Sequence, residues 1–144
     1  FVFLALFMNE PRVKQVGNLG KALLASQVDE ELPDGFVHEK REEDEELKAI
    51  VVEMAQETGP EAFIRQQTAL INRIDSRPRL GEIACPTLVL VGDGDRLTPV
   101  EISQEIHDHI PQSELAVIQG SGHLSPLEAP EKVTATLLDF LNRP

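Results

Sequence analysis

The sequence is poor in positive charge, in cysteine and in long apolar runs. It has 13 lysines and arginines against 25 aspartates and glutamates, and its net charge of −12 argues against nucleic acid or an anionic membrane as a partner. Cys85 is the only cysteine and cannot form an internal disulfide, which favours a reducing, cytoplasmic compartment. The apolar run at residues 1–8 is too short to span a bilayer. What remains is the composition of one globular domain, with 144 residues, 41% hydrophobic and 26% charged.

The first half of the chain has helical patterns and no clear strand. Residues 1–27 are predicted to form one helix and a connection. Residues 28–78 are predicted to be a helical segment, because apolar side chains recur at helical spacing from Asp44 to Gln56. The Thr-Gly-Pro sequence at residues 58–60 should end that helix and begin another. Two successive helices with no strand between them indicate a cap or lid.

The second half, residues 79–144, alternates between strand and helix patterns. A continuous apolar run at Leu88–Val91 predicts a parallel strand buried on both faces, and residues 113–119 predict a second strand. Thr98–Glu101 has the pattern of a capping box with proline at the first helical position. The last helix should begin near Pro130. This order predicts an α/β fold in which helices cover a parallel sheet.

Polar side chains follow both predicted strands. Asp93 and Asp95 come just after the first strand, and His123 comes just after the second. In parallel sheets ligands bind beyond the carboxyl ends of the strands, so these groups should meet at one edge. An acid followed by a histidine, each on such a loop, is the later part of a Ser…Asp…His chain order.

Two motifs give the chain a resemblance to the α/β-hydrolase family. The family pattern G-x-x-D-x-x-x-P matches Gly92, Asp95 and Pro99. The family pattern G-x-G-H, followed by a Pro-Glu pair that opens the last helix, matches residues 120–123 and 130–131. The resemblance covers about residue 80 to the end and implies the C-terminal part of an α/β-hydrolase sheet. Residues 59–73 are also similar to the cap helices of small-ester hydrolases in this family.

The resemblance implies a catalytic role for two residues. Asp95 would be the triad acid, and His123 would be the general base that moves the nucleophile's proton to the leaving group. The substrate would be a small carboxylic ester or a related acyl compound, and no cofactor is needed. Asp93 is the alternative acid, although its position relative to Pro99 fits less well, and it is interpreted as a turn-forming carboxylate.

Other polar residues receive structural interpretations. Ser121 and Ser125 flank the histidine but belong to no G-x-S-x-G sequence, so they are interpreted as hydrogen-bonding groups of the loop. Cys85, before a proline at a strand start, is interpreted as a packing residue. His107 and His109 flank an aspartate, but they should point to different faces of a helix, so no metal site is expected there.

The nucleophile is absent from these 144 residues, since no G-x-S-x-G sequence occurs in them. Residues 1–14 resemble the helix that follows the nucleophile in this family, so the chain is expected to begin just after that residue. It would then be inactive alone, and it would be an oligomer, strand-swapped, or associated with the missing N-terminal half. Two alternatives stay open: a dehalogenase-like or other non-ester hydrolase with an aspartate nucleophile, and a non-catalytic fragment that binds a ligand or a partner.

Overall fold

The structure, a computed structural model, describes residues 35–143, which divide into two compact units. One unit contains residues 43–75, and the other contains residues 35–42 and 76–143. The helix and connection expected at residues 1–27 lie outside the described residues. The role of the first unit as a cap stays a prediction.

The first unit is a long helix, α1 (Glu45–Ile71), with one break. Asp44 caps its N-terminus, because the carboxylate accepts the backbone N–H groups of Glu46 and Leu47 at 3.1 Å each. At Gly59 the backbone has φ 69° and ψ 161°, a conformation open almost only to glycine. The break predicted at the Thr-Gly-Pro sequence is therefore confirmed. Throughout residues 35–143, no helix has both the length and the apolar character needed to cross a membrane.

The second unit contains two parallel strands, β1 (Thr87–Gly92) and β2 (Ser113–Ile118). They pair in register from Thr87 opposite Ser113 to Gly92 opposite Ile118, so both strands end at the same edge. Helix α2 (Val100–His109) connects the strands and packs against both of them. The predicted strands and their parallel pairing are confirmed.

Two helices follow β2, the single turn α3 (Ser125–Glu128) and the longer α4 (Pro130–Leu141). The start of the last helix at Pro130 agrees with the prediction. A buried apolar cluster joins α4 to the sheet, and its members are Ile118, Ala129 and Val133, with Leu90 and Leu137 packed against them. Burial of such side chains stabilises the fold by roughly 1.5–3 kcal/mol each for the larger ones.

Three local predictions from the sequence are wrong. Val89 and Val91 of β1 are buried, but Leu88 and Leu90 are half-buried, so the described residues cover one face of the strand fully and the other in part. The capping box does not form, because α2 starts at Val100 with no side-chain cap. Cys85 is exposed and therefore is not a packing residue.

Candidate active site

The loops that follow β1 and β2 lie side by side at the carboxyl edge of the sheet. The backbone N–H of Asp93 donates to the carbonyl oxygen of Ile118 at 3.0 Å, and the N–H of Gly94 donates to that of Ser121 at 2.9 Å. A Cβ atom on Gly92 would lie 2.2 Å from the Ser121 carbonyl oxygen, so this approach requires glycine. The backbone itself thus holds the loop after β1 (the aspartate loop, residues 93–99) against the loop after β2 (the histidine loop, residues 119–124).

Asp95 and His123 meet across these loops. Nδ1 of His123 lies 2.9 Å from Oδ2 of Asp95. The Asp95 side chain is 5% exposed and the His123 side chain is 31% exposed. An ionised carboxylate only accepts hydrogen bonds, so Nδ1 carries the proton and Nε2 is the basic nitrogen of the ring. Among residues 35–143, Nε2 has no hydrogen-bond partner.

Thr98 and the backbone beside it fix the Asp95 carboxylate. Oδ1 accepts the backbone N–H groups of Leu97 at 2.9 Å and Thr98 at 2.8 Å, and Oδ2 accepts the Thr98 hydroxyl at 2.7 Å. Burial raises the pKa of Asp95. The hydrogen bonds from His123 and Thr98 together lower the pKa by more than burial raises it, so the pKa lies below its ordinary value. The Thr98 hydroxyl that the sequence assigned to a helix cap is thus bonded to this carboxylate.

Asp93 has a different set of partners from Asp95. Its Oδ1 accepts the backbone N–H groups of Gly120 at 2.7 Å and of Ser121 at 3.3 Å. The imidazole nearest to it is that of His38, with Nε2 at 4.0 Å from Oδ1. The structure therefore joins Asp93 to the backbone of the histidine loop and joins Asp95 to the His123 ring.

Glu128 is part of the site and was missed by sequence reasoning. Glu128 is only 5% exposed, and both oxygens of its carboxylate accept backbone N–H groups. Oε1 accepts from Gly122 at 2.9 Å, and Oε2 accepts from His38 at 2.7 Å. The first of these donors immediately precedes His123. The only available signal was an acid in the apolar surroundings of the last two helices, and no periodic pattern distinguishes it.

A second chain segment, Gly35 to His38, lies against the histidine loop. The ring of Phe36 meets the ring of His123 edge to face, with centroids 6.1 Å apart and an interplanar angle of 87°. The carbonyl oxygen of Phe36 accepts the N–H of Leu124 at 3.2 Å. This segment therefore contacts both the ring of His123 and the backbone after it.

The two serines of the loop are buried. Ser121 is fully buried, and its hydroxyl donates to the carbonyl oxygen of Ile118 at 3.1 Å. Ser125 is also buried, at the start of α3. The loop hydrogen bond expected of Ser121 is present, and neither serine is exposed as an attacking group would be.

The histidines of α2 have local partners. Nδ1 of His107 lies 2.8 Å from the Ser113 hydroxyl, and Nδ1 of His109 lies 2.7 Å from the carbonyl oxygen of Glu105. Within residues 35–143, no group of three or more His, Cys, Asp or Glu side chains is arranged to hold a metal ion.

The chain is similar to known proteins over most of its length. The family model of the alpha/beta hydrolase fold matches residues 14–130. The AB hydrolase superfamily protein YisY of Bacillus subtilis is 30% identical over 131 residues, which are 91% of this chain and 43% of that protein. The putative carbamate hydrolase RutD of Serratia proteamaculans is 36% identical over 98 residues, 68% of this chain and 35% of that protein.

A solved structure is similar over most of the chain. It is a thermophilic esterase from Thermogutta terrifontis, with a TM-score of 0.80 and 28% identity over 93% of this chain and 51% of that one. The chain thus spans about half the length of the solved esterase and less than half of the two curated relatives. The fold class and the family resemblance inferred from the two motifs are confirmed.

Proposed function

The chain belongs to the α/β-hydrolase fold family, and we propose that it supplies the acid and the base of a serine hydrolase that cleaves small carboxylic esters or related acyl compounds. The observation that carries the proposal is the 2.9 Å separation between Oδ2 of Asp95 and Nδ1 of His123. The acid is buried and the imidazole is partly exposed. Proton transfer requires this exposure, because the imidazole has to reach a bound substrate.

The two residues have separate tasks in the proposed reaction. His123 takes the proton of the attacking hydroxyl on Nε2 and returns it to the leaving alcohol. Asp95 accepts the Nδ1 proton, holds the ring in the tautomer with a basic Nε2, and stabilises the imidazolium that forms. Because the pKa of Asp95 lies below its ordinary value, the acid is ionised at neutral pH, as this task requires.

The proposed nucleophile is a serine that these 144 residues do not contain, since no G-x-S-x-G sequence occurs in them. The backbone N–H groups that would stabilise the oxyanion belong with that serine. Two similar proteins, named an esterase and a putative carbamate hydrolase, support the proposal that the reaction occurs at a carbonyl carbon. Attack by serine at a carbonyl is the step for which an Asp–His pair is suited.

A fluorophosphonate probe tests the proposal, because it labels a serine only when that serine is activated. We expect no labelling of the 144-residue chain and stoichiometric labelling of a longer protein that adds the proposed serine. His123→Ala should abolish the labelling, and His109→Ala, at an exposed histidine of α2, should leave it intact.

Two outcomes would contradict the proposal. Labelling of any serine within residues 1–144 would show that the nucleophile lies inside this chain. Ester turnover by the longer protein without serine labelling would point to a different nucleophile, such as an aspartate that forms an ester intermediate with the substrate.

A further inference from the structure

Glu128 is a buried acid that the proposed reaction does not use. Among residues 35–143 it makes no hydrogen bond to the His123 ring, and each of its carboxylate oxygens accepts one backbone N–H group. The two donors, Gly122 and His38, are far apart in the sequence, and both residues are buried. A carboxylate suits this place because it offers acceptor positions on both oxygens, whereas an amide offers only one oxygen.

One oxygen of Glu128 completes the support of the histidine loop. Three consecutive N–H groups, those of Gly120, Ser121 and Gly122, donate to carboxylates, the first two to Asp93 and the third to Glu128. His123 follows directly. The loop is therefore held from the β1 side by Asp93 and from the α3 side by Glu128, and the amide that Glu128 fixes is the one directly before the imidazole residue.

The other oxygen of Glu128 fixes the segment that touches the ring. Oε2 accepts the N–H of His38 at 2.7 Å, two residues after the Phe36 ring that packs edge to face on His123. A Cβ atom on Gly122 would lie 2.5 Å from the backbone nitrogen of His38, so the segment and the loop are in close contact here. Glu128 thus joins the backbone before His123 to the segment that packs against its ring.

We infer that Glu128 is a positioning residue for His123, a role that rests on the proposed function. It sets the imidazole through the Gly122 amide on one side and through the Phe36–His38 segment on the other. A small displacement of a general base from its productive position lowers the rate of chemistry much more than the binding of substrate.

Kinetics of Glu128→Gln in the longer, nucleophile-containing protein test this role. The glutamine keeps the size of the side chain but turns an N–H donor toward one of the two backbone N–H groups. We expect kcat per folded molecule to fall by about 10²-fold, with KM nearly unchanged. The matched control is Glu131→Gln, which removes the same charge at an exposed position of α4 and should keep wild-type kcat.

A spectroscopic measurement on the full chain gives a readout that needs no turnover. The Nδ1 proton of His123, hydrogen-bonded to Asp95, should give a downfield imidazole resonance. We expect Glu128→Gln to shift or broaden that resonance and Glu131→Gln to leave it in place. If the wild-type protein hydrolyses no ester, the proposed function fails, while this resonance still decides the role of Glu128.

The result that overturns the inference is a folded Glu128→Gln variant with a lower melting temperature but unchanged kcat and an unchanged His123 resonance. That outcome would make Glu128 a purely structural residue. If the variant does not fold, the same two measurements are made on Glu128→Asp, which keeps the charge but shortens the side chain. A lower kcat with a shifted His123 resonance supports the inference, and a folded Glu128→Asp with both unchanged overturns it.

Discussion

Asp93 and Asp95 are separated by one glycine, yet their carboxylates bind different groups. Asp95 accepts hydrogen bonds from its own loop and from the His123 ring, while Asp93 accepts two backbone N–H groups of the loop that follows β2. An asparagine at either position keeps an oxygen that can accept. The substitution therefore separates the need for negative charge from the need for an acceptor.

Asparagine substitution should affect catalysis at Asp95 far more than at Asp93. In Asp95→Asn the amide can donate to Nδ1 and favour the wrong imidazole tautomer, at a cost in kcat of up to about 10⁴. In Asp93→Asn the amide oxygen can still accept the amides of Gly120 and Ser121, so kcat should change little. Steady-state kinetics of both variants of the longer protein check this, and a larger loss at Asp93 would reverse the assignment.

The lowered pKa of Asp95 predicts how stability depends on pH. Because the unfolded chain binds a proton on this group more readily than the folded chain does, Asp95 adds stability that is complete above the ordinary pKa of 3.8. That contribution is lost as the pH falls through the lower pKa of the folded state. The free energy of unfolding of Asp95→Asn, measured with urea from neutral to acid pH, should therefore fall less steeply below about pH 4 than that of the wild type. Equal slopes would contradict the pKa shift.

Thr98 shows where sequence reasoning at the residue scale reached its limit. A threonine three positions before a glutamate is the local pattern of a capping box, and nothing local reveals a competing partner. In the structure its hydroxyl donates to Asp95 at 2.7 Å, a partner on the same loop that becomes available only when the loop folds around the carboxylate. Glu128 was missed for a similar reason, because its amide donor on His38 lies 90 positions away in the sequence.

At the scale of elements, hydrophobic patterns predicted most of the second unit. The runs of β1 and β2 and the start of α4 at Pro130 were predictable, because strands that pack against neighbouring layers leave apolar runs in the sequence and proline is favoured in the first turn of a helix. The 3₁₀ helices Glu39–Arg41 and Arg77–Glu82 were not predicted. They are too short to show a period, and the second is placed by its packing against α2.

The histidine loop approaches the backbone of Val37 and His38 so closely at Gly122 that we expect this position to require glycine. A Cβ atom on Gly122 would lie 2.5 Å from the nitrogen of His38 and 2.5 Å from the carbonyl carbon of Val37, both backbone atoms that cannot rotate away. Gly122→Ala should lower the free energy of unfolding by roughly 1–3 kcal/mol.

Gly81→Ala is the matched control for this substitution. The nearest atom to its new Cβ is the carbonyl oxygen of His109 at 3.9 Å, which is ordinary contact. This variant should be neutral or stabilised by about 0.4–1 kcal/mol, since alanine narrows the unfolded ensemble. Chemical denaturation of both variants gives the two free energies, and an equal loss at both positions would show that the close approach is not what requires glycine.

At the scale of the whole molecule, the described sheet is small. Among residues 35–143, β1 and β2 pair only with each other, so each has one edge at which its N–H and C=O groups meet no strand. A two-stranded sheet is marginal by itself. We propose that the chain associates, either with a second copy through strand exchange or with a polypeptide that supplies further strands.

Light scattering after gel filtration, at micromolar protein, checks the proposed association. We expect the 144-residue chain alone to be larger than a monomer, and a longer protein that supplies more strands to unfold as one cooperative unit. A monomeric 144-residue chain with a single, cooperative unfolding transition would contradict the proposal, because it would show that no further strand is needed.

The hydrogen bonds on the loop before His123 have a consequence for entropy. The amides of residues 120–122 and the carbonyl oxygen of Ser121 are all bonded, so this backbone has few conformations left to lose when a substrate binds. Ordering each residue costs roughly 1–2 kcal/mol of conformational entropy, and here that loss occurs once, during folding. In the proposed reaction, no catalytic cycle would have to order the histidine loop again.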